Sequence, residues 1–284
     1  MKKLMVLFAT ILFTTMAFSG CGKAEVVKTK IFENEVYVEY EITCSYDDKN
    51  IYGIACVPVE ADGEIPTVIF SHGFRGNVKN TEDYAQSLAG MGIASYRFEF
   101  YGGSTESKSG GDMTEMSIFT EKSDLEAVLD MVKNLDFVDK DNIYLFGESQ
   151  GGVVSAIVAN DYEDEINGLI LLYPAFVIPD DAREMFESVE DIPETINFMG
   201  VDLGKIYYED LLDYDVYENI DKYKNDVLIF HGDMDAIVDI SYAEKAVEVY
   251  DSAELVVIEG AGHGNFTGEM KQKVVDMTYE YIMK

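Results

Sequence analysis

Short apolar runs alternate along most of the chain with longer segments whose apolar residues recur at helical spacing. The runs predict strands at 67–71, 93–99, 142–147, 168–173, 227–231 and 254–259. The segments between and after them predict helices at about 80–91, 114–134, 151–160, 241–250 and 267–283. This alternation predicts an α/β fold with a mostly parallel central sheet and helices on both faces.

Two further strand-like runs precede this pattern. Residues 35–43 and 51–59 are rich in alternating apolar residues, and Asp47-Asp48-Lys49-Asn50 between them is typical of a turn. We predict an antiparallel hairpin at the edge of the sheet. The residues that precede these strands, 21–30, are predicted to form a polar tether, and the main domain then covers 31–284.

Cys44 and Cys56 lie on the two arms of this hairpin. A turn centred on residues 48 and 49 places Cys44 opposite Gly53, which leaves the two thiols too far apart for a disulfide. We expect both cysteines to be free and buried. Their spacing does not suggest a zinc site.

Residues 174–225 interrupt the alternation and are far longer than the usual connection of about 2–6 residues. They are rich in apolar and aromatic residues, which disordered segments usually lack. We therefore predict a lid over the site rather than a disordered insert. Tyr207 and Tyr208 are its candidate substrate-binding residues, although any single aromatic here could equally serve only to attach the segment to the body.

The candidate nucleophile is Ser149, in Gly147-Glu148-Ser149-Gln150-Gly151. An apolar run of strand type precedes this motif, and a Val-rich and Ala-rich helical segment follows it. In that context Gly-x-Ser-x-Gly indicates a nucleophile elbow, a sharp turn that projects the serine hydroxyl away from the sheet. The backbone N–H of Gln150, the next residue, is placed to donate to an oxyanion.

A serine nucleophile needs a base that is oriented by an acid. The chain has three histidines, His72, His231 and His263, and only His263 has both Ser149 and a motif-borne aspartate upstream of it. That order, serine, acid and then histidine, is the order of the α/β-hydrolase triad. The acid is Asp233 or Asp235, in His231-Gly232-Asp233-Met234-Asp235. Ile237 at the fifth position of the Asp-x-Asp segment argues against a calcium loop.

The segments 71–75, 147–152, 231–238 and 260–264 resemble the α/β-hydrolase superfamily, near its cinnamoyl or feruloyl esterase-like members. The resemblance implies that Asp235 is the acid and that the backbone N–H of Phe74 is the second oxyanion donor. Asp233 is then expected to hold the turn by bonding nearby backbone amides. The resemblance also implies feruloyl or cinnamoyl esters of plant polysaccharide as substrates, with the lid contacting the phenolic acid.

The chain begins with Met1-Lys2-Lys3, continues without a charge over 4–18, and reaches Ser19-Gly20-Cys21. This start is typical of a secretory signal peptide. Its last residues resemble a bacterial lipobox, although Phe18 stands where leucine is usual. We expect cleavage after residue 20, lipidation of Cys21 and an extracytoplasmic, membrane-anchored protein, with ordinary secretion or an uncleaved anchor as alternatives.

The formal net charge is −33 at pH 7. A surface this acidic repels phosphate backbones and anionic lipid, so we expect no nucleic-acid partner and membrane contact only through the lipid anchor. No cofactor, metal site or oligomeric state is predicted. The expected activity is that of a serine carboxylesterase acting through an acyl-enzyme on a small or polysaccharide-linked ester. The alternatives are a short-chain carboxylesterase, a peptidase of the acylaminoacyl or prolyl oligopeptidase type, and an inactive surface-binding lipoprotein.

Overall fold

A computed structural model describes residues 26–284. The predicted signal peptide and Cys21 lie outside the described residues. No helix among residues 26–284 is long and apolar enough to cross a membrane.

The strands are β1 (Lys28–Glu33), β2 (Tyr37–Tyr46), β3 (Lys49–Pro58), β4 (Ile65–Ser71), β5 (Ala94–Phe98), β6 (Val138–Glu148), β7 (Gly168–Leu172), β8 (Thr195–Phe198), β9 (Val201–Gly204), β10 (Val227–Gly232) and β11 (Ala253–Ile258). The α-helices are α1 (Glu82–Ala89), α2 (Ile118–Val132), α3 (Gln150–Asp161), α4 (Ile178–Met185), α5 (Ile206–Glu209), α6 (Ser241–Val249) and α7 (Glu269–Ile282).

The main sheet has nine strands in the order β1-β2-β3-β5-β4-β6-β7-β10-β11. The strands from β5 to β11 in this order pair in parallel, and β1, β2 and β3 pair antiparallel at one side. The predicted α/β-hydrolase architecture, a mostly parallel sheet with helices on both faces, is therefore confirmed. Because parallel strands are covered on both faces, they carry the continuous apolar runs seen in the sequence.

Alternate residues of the central strands face two separate cores. On one face Val68 and Phe70 of β4 pack in a cluster with residues of α1 and α7. On the other face Ile69 of the same strand packs in a cluster with residues of α2, α3 and α6. Helix α3 packs against β6, β7 and α2, and its residues from Gln150 to Asn160 are all buried. It is thus held tightly at the point where β6 ends.

Two expectations for the amino-terminal strands need correction. Strand β1 (Lys28–Glu33) begins inside the segment predicted to be a tether, and it pairs with β2, so the hairpin is not the outermost element of the sheet. The hairpin register is also two residues away from the predicted one. Cys44 lies opposite Ile51, because the turn is formed by residues 47 and 48. Both cysteines are nevertheless free and buried, as expected.

The segment 174–225 contains α4, the two-stranded antiparallel sheet of β8 and β9, and α5. Apolar residues of this segment, among them Leu203, Tyr207 and Leu211, are buried in the same core cluster as α2 and α3. The segment therefore packs on the face of the sheet that carries α3. We keep the name "inserted segment" for residues 174–225.

Candidate active site

Ser149 lies between the last residue of β6 and the first residue of α3, with φ 49° and ψ −117°. A non-glycine residue rarely adopts this conformation, and it persists only where neighbours enforce it. Here the neighbour is the chain at and just after β7. The Ser149 N–H donates to the carbonyl of Leu172 at 2.9 Å, and the Ala175 N–H donates to the Ser149 carbonyl at 3.0 Å. The predicted elbow is thus present, and both the N–H and the carbonyl of Ser149 are held by hydrogen bonds.

The two glycines of the motif are required by close backbone contacts. A Cβ at Gly147 would lie 2.4 Å from the carbonyl oxygen of Gly151, and a Cβ at Gly151 would lie 2.4 Å from the carbonyl oxygen of His72. Both distances are far below a van der Waals contact. The elbow can therefore form only where these positions carry no side chain.

Ser149, His263 and Asp235 are joined by hydrogen bonds. The distance from Ser149 Oγ to His263 Nε2 is 2.8 Å, and the distance from His263 Nδ1 to Asp235 Oδ2 is 2.7 Å. Because a carboxylate can only accept, Nδ1 carries the ring proton and Nε2 accepts from the serine hydroxyl. This is the arrangement in which a histidine can take a proton from serine as the hydroxyl attacks.

The two aspartates of the β10 loop have different partners, and Asp235 is the one that bonds His263. Asp235 has a fully buried side chain, and its Oδ1 accepts from the backbone N–H groups of Ile237 and Val238 at 2.9 Å each. Asp233 points elsewhere: its Oδ1 accepts from the Gly260 N–H at 2.6 Å. Asp233 thus bonds a nearby backbone amide, but this amide, Gly260, belongs to the loop that carries His263 and not to the turn of Asp233. Asp233 ties these two loops together.

Phe74 and Gln150 stand beside Ser149, as the oxyanion prediction requires. A Cβ on Gly73 would lie 3.1 Å from Ser149 Cβ, so the Phe74 loop passes directly against the serine. Among residues 26–284, no hydrogen-bond acceptor is present for the backbone N–H of Phe74 or for that of Gln150. Both donors remain available to an oxygen that carries developing negative charge.

His72 orients the first of these donors. Burial lowers the pKa of His72 to about 4, so its ring is neutral at pH 7. Its Nε2 accepts from the Phe100 N–H at 3.2 Å, and its Nδ1 donates to the Gly73 carbonyl at 2.8 Å. The Gly73 carbonyl and the Phe74 N–H belong to the same peptide plane, so a bond to one fixes the direction of the other.

His231 lies outside the hydrogen-bonded chain that leads to Ser149. Its Nε2 bonds the Val238 carbonyl at 2.9 Å and lies 3.4 Å from Asp235 Oδ2. Burial lowers the pKa of His231, which keeps the ring neutral. The residue therefore packs behind Asp235 and supports the loop that presents it.

A cavity of about 310 Å³ opens in front of Ser149 and His263. Its wall contains Phe74, Tyr173, Met185, Phe198, Tyr207 and Tyr208. The two predicted tyrosines differ in their bonding. The Tyr207 hydroxyl donates to Gln150 Oε1 at 2.7 Å, whereas the Tyr208 hydroxyl is buried without a partner among the described residues. The inserted segment thus supplies a large part of the cavity wall.

Sequence reasoning missed Glu148 and Tyr173. The Glu148 side chain is buried and accepts from the Tyr173 hydroxyl at 3.2 Å, and the Tyr173 ring lies 4.7 Å from the His263 ring. Burial raises the pKa of Glu148 to about 7, against the opposing effects of the Tyr173 bond and Lys271. The elbow motif accepts any residue at position 148, so the pattern offered no signal for it. Among residues 26–284, no group of three or more acidic, histidine or cysteine side chains could hold a metal ion.

The raised pKa of Glu148 makes the stability of the fold depend on pH. Between the ordinary pKa of 4.5 and about 7, the unfolded chain has lost this proton while the folded protein keeps it. Stability therefore falls as pH rises through this interval. Glu148→Gln cannot ionise and keeps an acceptor for Tyr173. The measurement is the free energy of unfolding in urea for the variant and the wild type. The difference, variant minus wild type, should increase from pH 4.5 to 7 and stay constant above pH 7.

Glu259→Gln is the control for this measurement, because Glu259 is exposed on the surface. Its profile should follow that of the wild type. Parallel profiles for Glu148→Gln and wild type would contradict the assignment of a raised pKa to Glu148.

The chain is similar to known hydrolases in sequence and in structure. A family model described as serine aminopeptidase, S33, matches residues 64–198. Est1E from Butyrivibrio proteoclasticus, solved with ferulic acid bound, has 29% sequence identity and a TM-score of 0.77, over 85% of this chain and 99% of that chain. Acetyl xylan esterase 1 from Thermoanaerobacterium has 17% identity and a TM-score of 0.66, over 89% of this chain and 88% of that chain, a likeness that shows the fold alone.

A curated relative, the alpha/beta hydrolase domain-containing protein 17C of Xenopus tropicalis, is 28% identical over 222 residues, which are 75% of this chain and 59% of that protein. The chain therefore spans less than two thirds of the length of this relative. The sheet order, the geometry around Ser149 and these similarities agree with one another. We assign the chain to the α/β-hydrolase fold.

Proposed function

We propose that the protein is a carboxylesterase that hydrolyses feruloyl-type esters, in which the acyl group is a hydroxylated aromatic acid. The observation that carries this proposal is the opening of the Ser149–His263–Asp235 chain onto a cavity with an aromatic wall. The similarity to Est1E, whose structure holds ferulic acid, supports the same acyl class. The sequence resemblance implies that the natural substrates are feruloyl-type esters of plant polysaccharide.

The reaction follows from the positions of the atoms. Ser149 Oγ attacks the ester carbonyl carbon while its proton passes to His263 Nε2, and the charge on the carbonyl oxygen is stabilised by the Phe74 and Gln150 N–H groups. The bond to the alcohol oxygen then breaks, and His263 returns the proton to that oxygen. Water attacks the acyl-enzyme in the same way, which releases the acid and restores the serine hydroxyl. Asp235 stabilises the imidazolium in both halves of the reaction.

Two polar groups of the inserted segment could recognise a phenolic hydroxyl. Asp181 lines the cavity from α4, and partial burial raises its pKa. Tyr208 lines the same cavity, and its hydroxyl is buried without a hydrogen-bond partner among the described residues. A buried hydroxyl without a partner is costly, and a ligand group can relieve that cost. A ring stacked among the aromatic side chains would carry its hydroxyl toward this pair.

The first experiment compares methyl ferulate with p-nitrophenyl acetate and butyrate. Ser149→Ala should abolish turnover of every substrate that the wild type hydrolyses, by at least about 10³-fold in kcat, because no other group can form the acyl-enzyme. Ser155→Ala is the matched control, since Ser155 is a buried serine of α3, the helix that follows Ser149, and its hydroxyl has no partner among the described residues. It should retain activity.

Other results of this experiment would redirect the assignment. Turnover of the short aliphatic esters alone would reject the feruloyl proposal and leave a short-chain carboxylesterase. The family description names an aminopeptidase, so an aminoacyl p-nitroanilide belongs in the panel. Turnover of this amide in place of the esters would reject the esterase proposal.

The acyl recognition has its own test. Methyl cinnamate lacks the phenolic hydroxyl of methyl ferulate, so the ratio of kcat/KM for the two esters reports contacts to that hydroxyl. Asp181→Asn and Tyr208→Phe should each lower the ratio, by about tenfold if a buried hydrogen bond is lost. They should leave turnover of cinnamate close to that of the wild type.

Asp180→Asn provides the matched control for Asp181→Asn. Asp180 is the preceding residue, but its carboxylate accepts from Arg183 and from the Tyr242 hydroxyl and is not part of the cavity wall. An equal loss of selectivity in Asp180→Asn, or an unchanged ratio in both cavity variants, would contradict this recognition.

We also propose that the protein is a membrane-anchored lipoprotein, on the basis of the sequence of residues 1–21 alone. Labelled palmitate should be incorporated by the wild type and not by Cys21→Ala, because the lipid would be carried by that residue. Cys44→Ala is the control, since Cys44 is a free buried cysteine of the folded domain. Label in the Cys21→Ala protein, or its absence from the wild type, would reject the anchor and leave secretion or an uncleaved segment.

A further inference from the structure

The side chain of Gln150 is fixed in the interior between two other elements. Gln150 is 1% exposed, its Oε1 accepts from the Tyr207 hydroxyl at 2.7 Å, and its Nε2 donates to Glu121 Oε2 at 2.8 Å. Glu121 belongs to α2 and Tyr207 to α5 of the inserted segment. The amide of Gln150 therefore links the inserted segment to a helix of the main body.

Tyr207 also contacts the residue that carries the other oxyanion donor. Its ring meets the Phe74 ring edge to face, with 6.2 Å between the ring centroids. Phe198 of β8 packs on the same Phe74 ring at 5.7 Å. One side chain of the inserted segment therefore touches both Phe74 and Gln150, the two residues whose N–H groups flank Ser149.

The contacts of Tyr207 restrict the positions of the two residues that carry the oxyanion donors. Gln150 is the first residue of α3, so its N–H has no partner within the helix and its direction depends on how the first turn is held. Phe74 lies in a loop whose neighbour Arg75 has φ 61°. The peptides of both donors are already held through their carbonyls, that of Gly73 by His72 and that of Ser149 by Ala175, and a contact to the side chain holds each donor residue from a second direction. Tyr207 supplies an anchor to each.

We propose that Tyr207 is a positioning residue for the oxyanion site, which it holds through the side chains of Gln150 and Phe74. The inference rests on the proposed serine esterase function and deepens it. The inserted segment then contributes to the rate of the chemical step as well as to the shape of the cavity. Tyr208, the next residue, lines the same cavity, but its hydroxyl is buried without a partner among the described residues and does not bond Gln150.

The decisive variant is Tyr207→Phe, which keeps the ring against Phe74 and removes only the hydroxyl that holds Gln150. The substrate is p-nitrophenyl acetate, whose acyl group is too small to depend on the aromatic cavity. We expect kcat to fall by about 10- to 100-fold, up to the loss seen when one oxyanion donor is removed, with KM within about twofold of the wild type. The affinity for a trifluoromethyl ketone, which mimics the tetrahedral intermediate, should fall by the same factor as kcat.

Tyr217→Phe is the matched control. Tyr217 is another buried tyrosine of the inserted segment, and its hydroxyl donates to the Tyr242 carbonyl at 3.0 Å, away from the cavity. It should leave kcat for acetate unchanged.

A second pair of variants tests the hydrogen bond between Gln150 and Glu121. Glu121→Leu removes the acceptor and should lower kcat. Glu121→Gln offers Gln150 an acceptor again and should recover most of that loss.

Three outcomes would overturn the inference. One is an unchanged kcat for acetate in Tyr207→Phe, with an effect confined to KM for ferulate, which would make Tyr207 a substrate contact only. Another is an equal fall of kcat in Tyr217→Phe, which would indicate a general loss of structure. The third is a trifluoromethyl ketone affinity that does not change. Failure of the proposed function looks different, because the wild type itself would then hydrolyse no methyl ferulate, whatever the effect of Tyr207→Phe on acetate.

Discussion

The backbone of Ser149 is the constraint on which the rest of the site depends. Its conformation costs about 1–3 kcal/mol and cannot persist without support from the surrounding structure. That support comes from the Leu172 carbonyl, from the Ala175 N–H and from Gly147 and Gly151, which let the start of α3 pack against β6 and against the end of β4. Because β6 ends at Glu148 and α3 begins at Gln150, the same turn exposes the serine hydroxyl and leaves the first helical N–H without an internal acceptor.

The parallel sheet then brings the other groups to this turn. Strands β10 and β11 pair in register from Val227 opposite Ala253 to Gly232 opposite Ile258, so the loops with Asp235 and His263 leave the sheet side by side. The bond from Asp233 to the Gly260 N–H joins the two loops just beyond the strands. Strand β4 ends at Ser71 next to β6 and carries the Phe74 loop to the other side of the serine. Each group thus comes from a strand end, the edge where open α/β sheets bind their ligands.

Sequence patterns predicted the central strands and helices to within a few residues, since each is a strongly apolar run or a helical repeat closed by turn residues. They missed β1, whose six residues are all exposed and carry no pattern of burial. The hairpin register was misplaced because the turn begins at Asp47, with φ 46°, and a shift of one position in the turn moves every pair by two. Motif order alone left Asp233 and Asp235 open, because the choice depends on which carboxylate the turn directs at His263.

The groups around Tyr207 show the limit of such patterns most clearly. Aromatic content indicated a structured inserted segment, but it could not show which hydroxyl would reach Gln150 and which would be buried without a partner among the described residues. Tyr207 and Tyr208 are adjacent and of the same type, and they differ only in the direction given to them by the short helix α5. Contacts of this kind join residues far apart in the chain, such as Glu121, Gln150 and Tyr207, so local sequence patterns cannot predict them.

The electrostatics of the cavity fit a neutral substrate. Among the described residues that line it there is no lysine or arginine, while Glu148 and Asp181 both contribute carboxyl groups. Below about pH 7 burial keeps Glu148 largely protonated, so it adds little negative charge beside the oxygen that becomes an oxyanion. Stabilisation of that oxygen must come from neutral backbone donors, which makes their positioning decisive. An ester meets no charge barrier here, whereas the acid released from it is an anion inside a protein of net charge −33 and is not retained by a nearby cation.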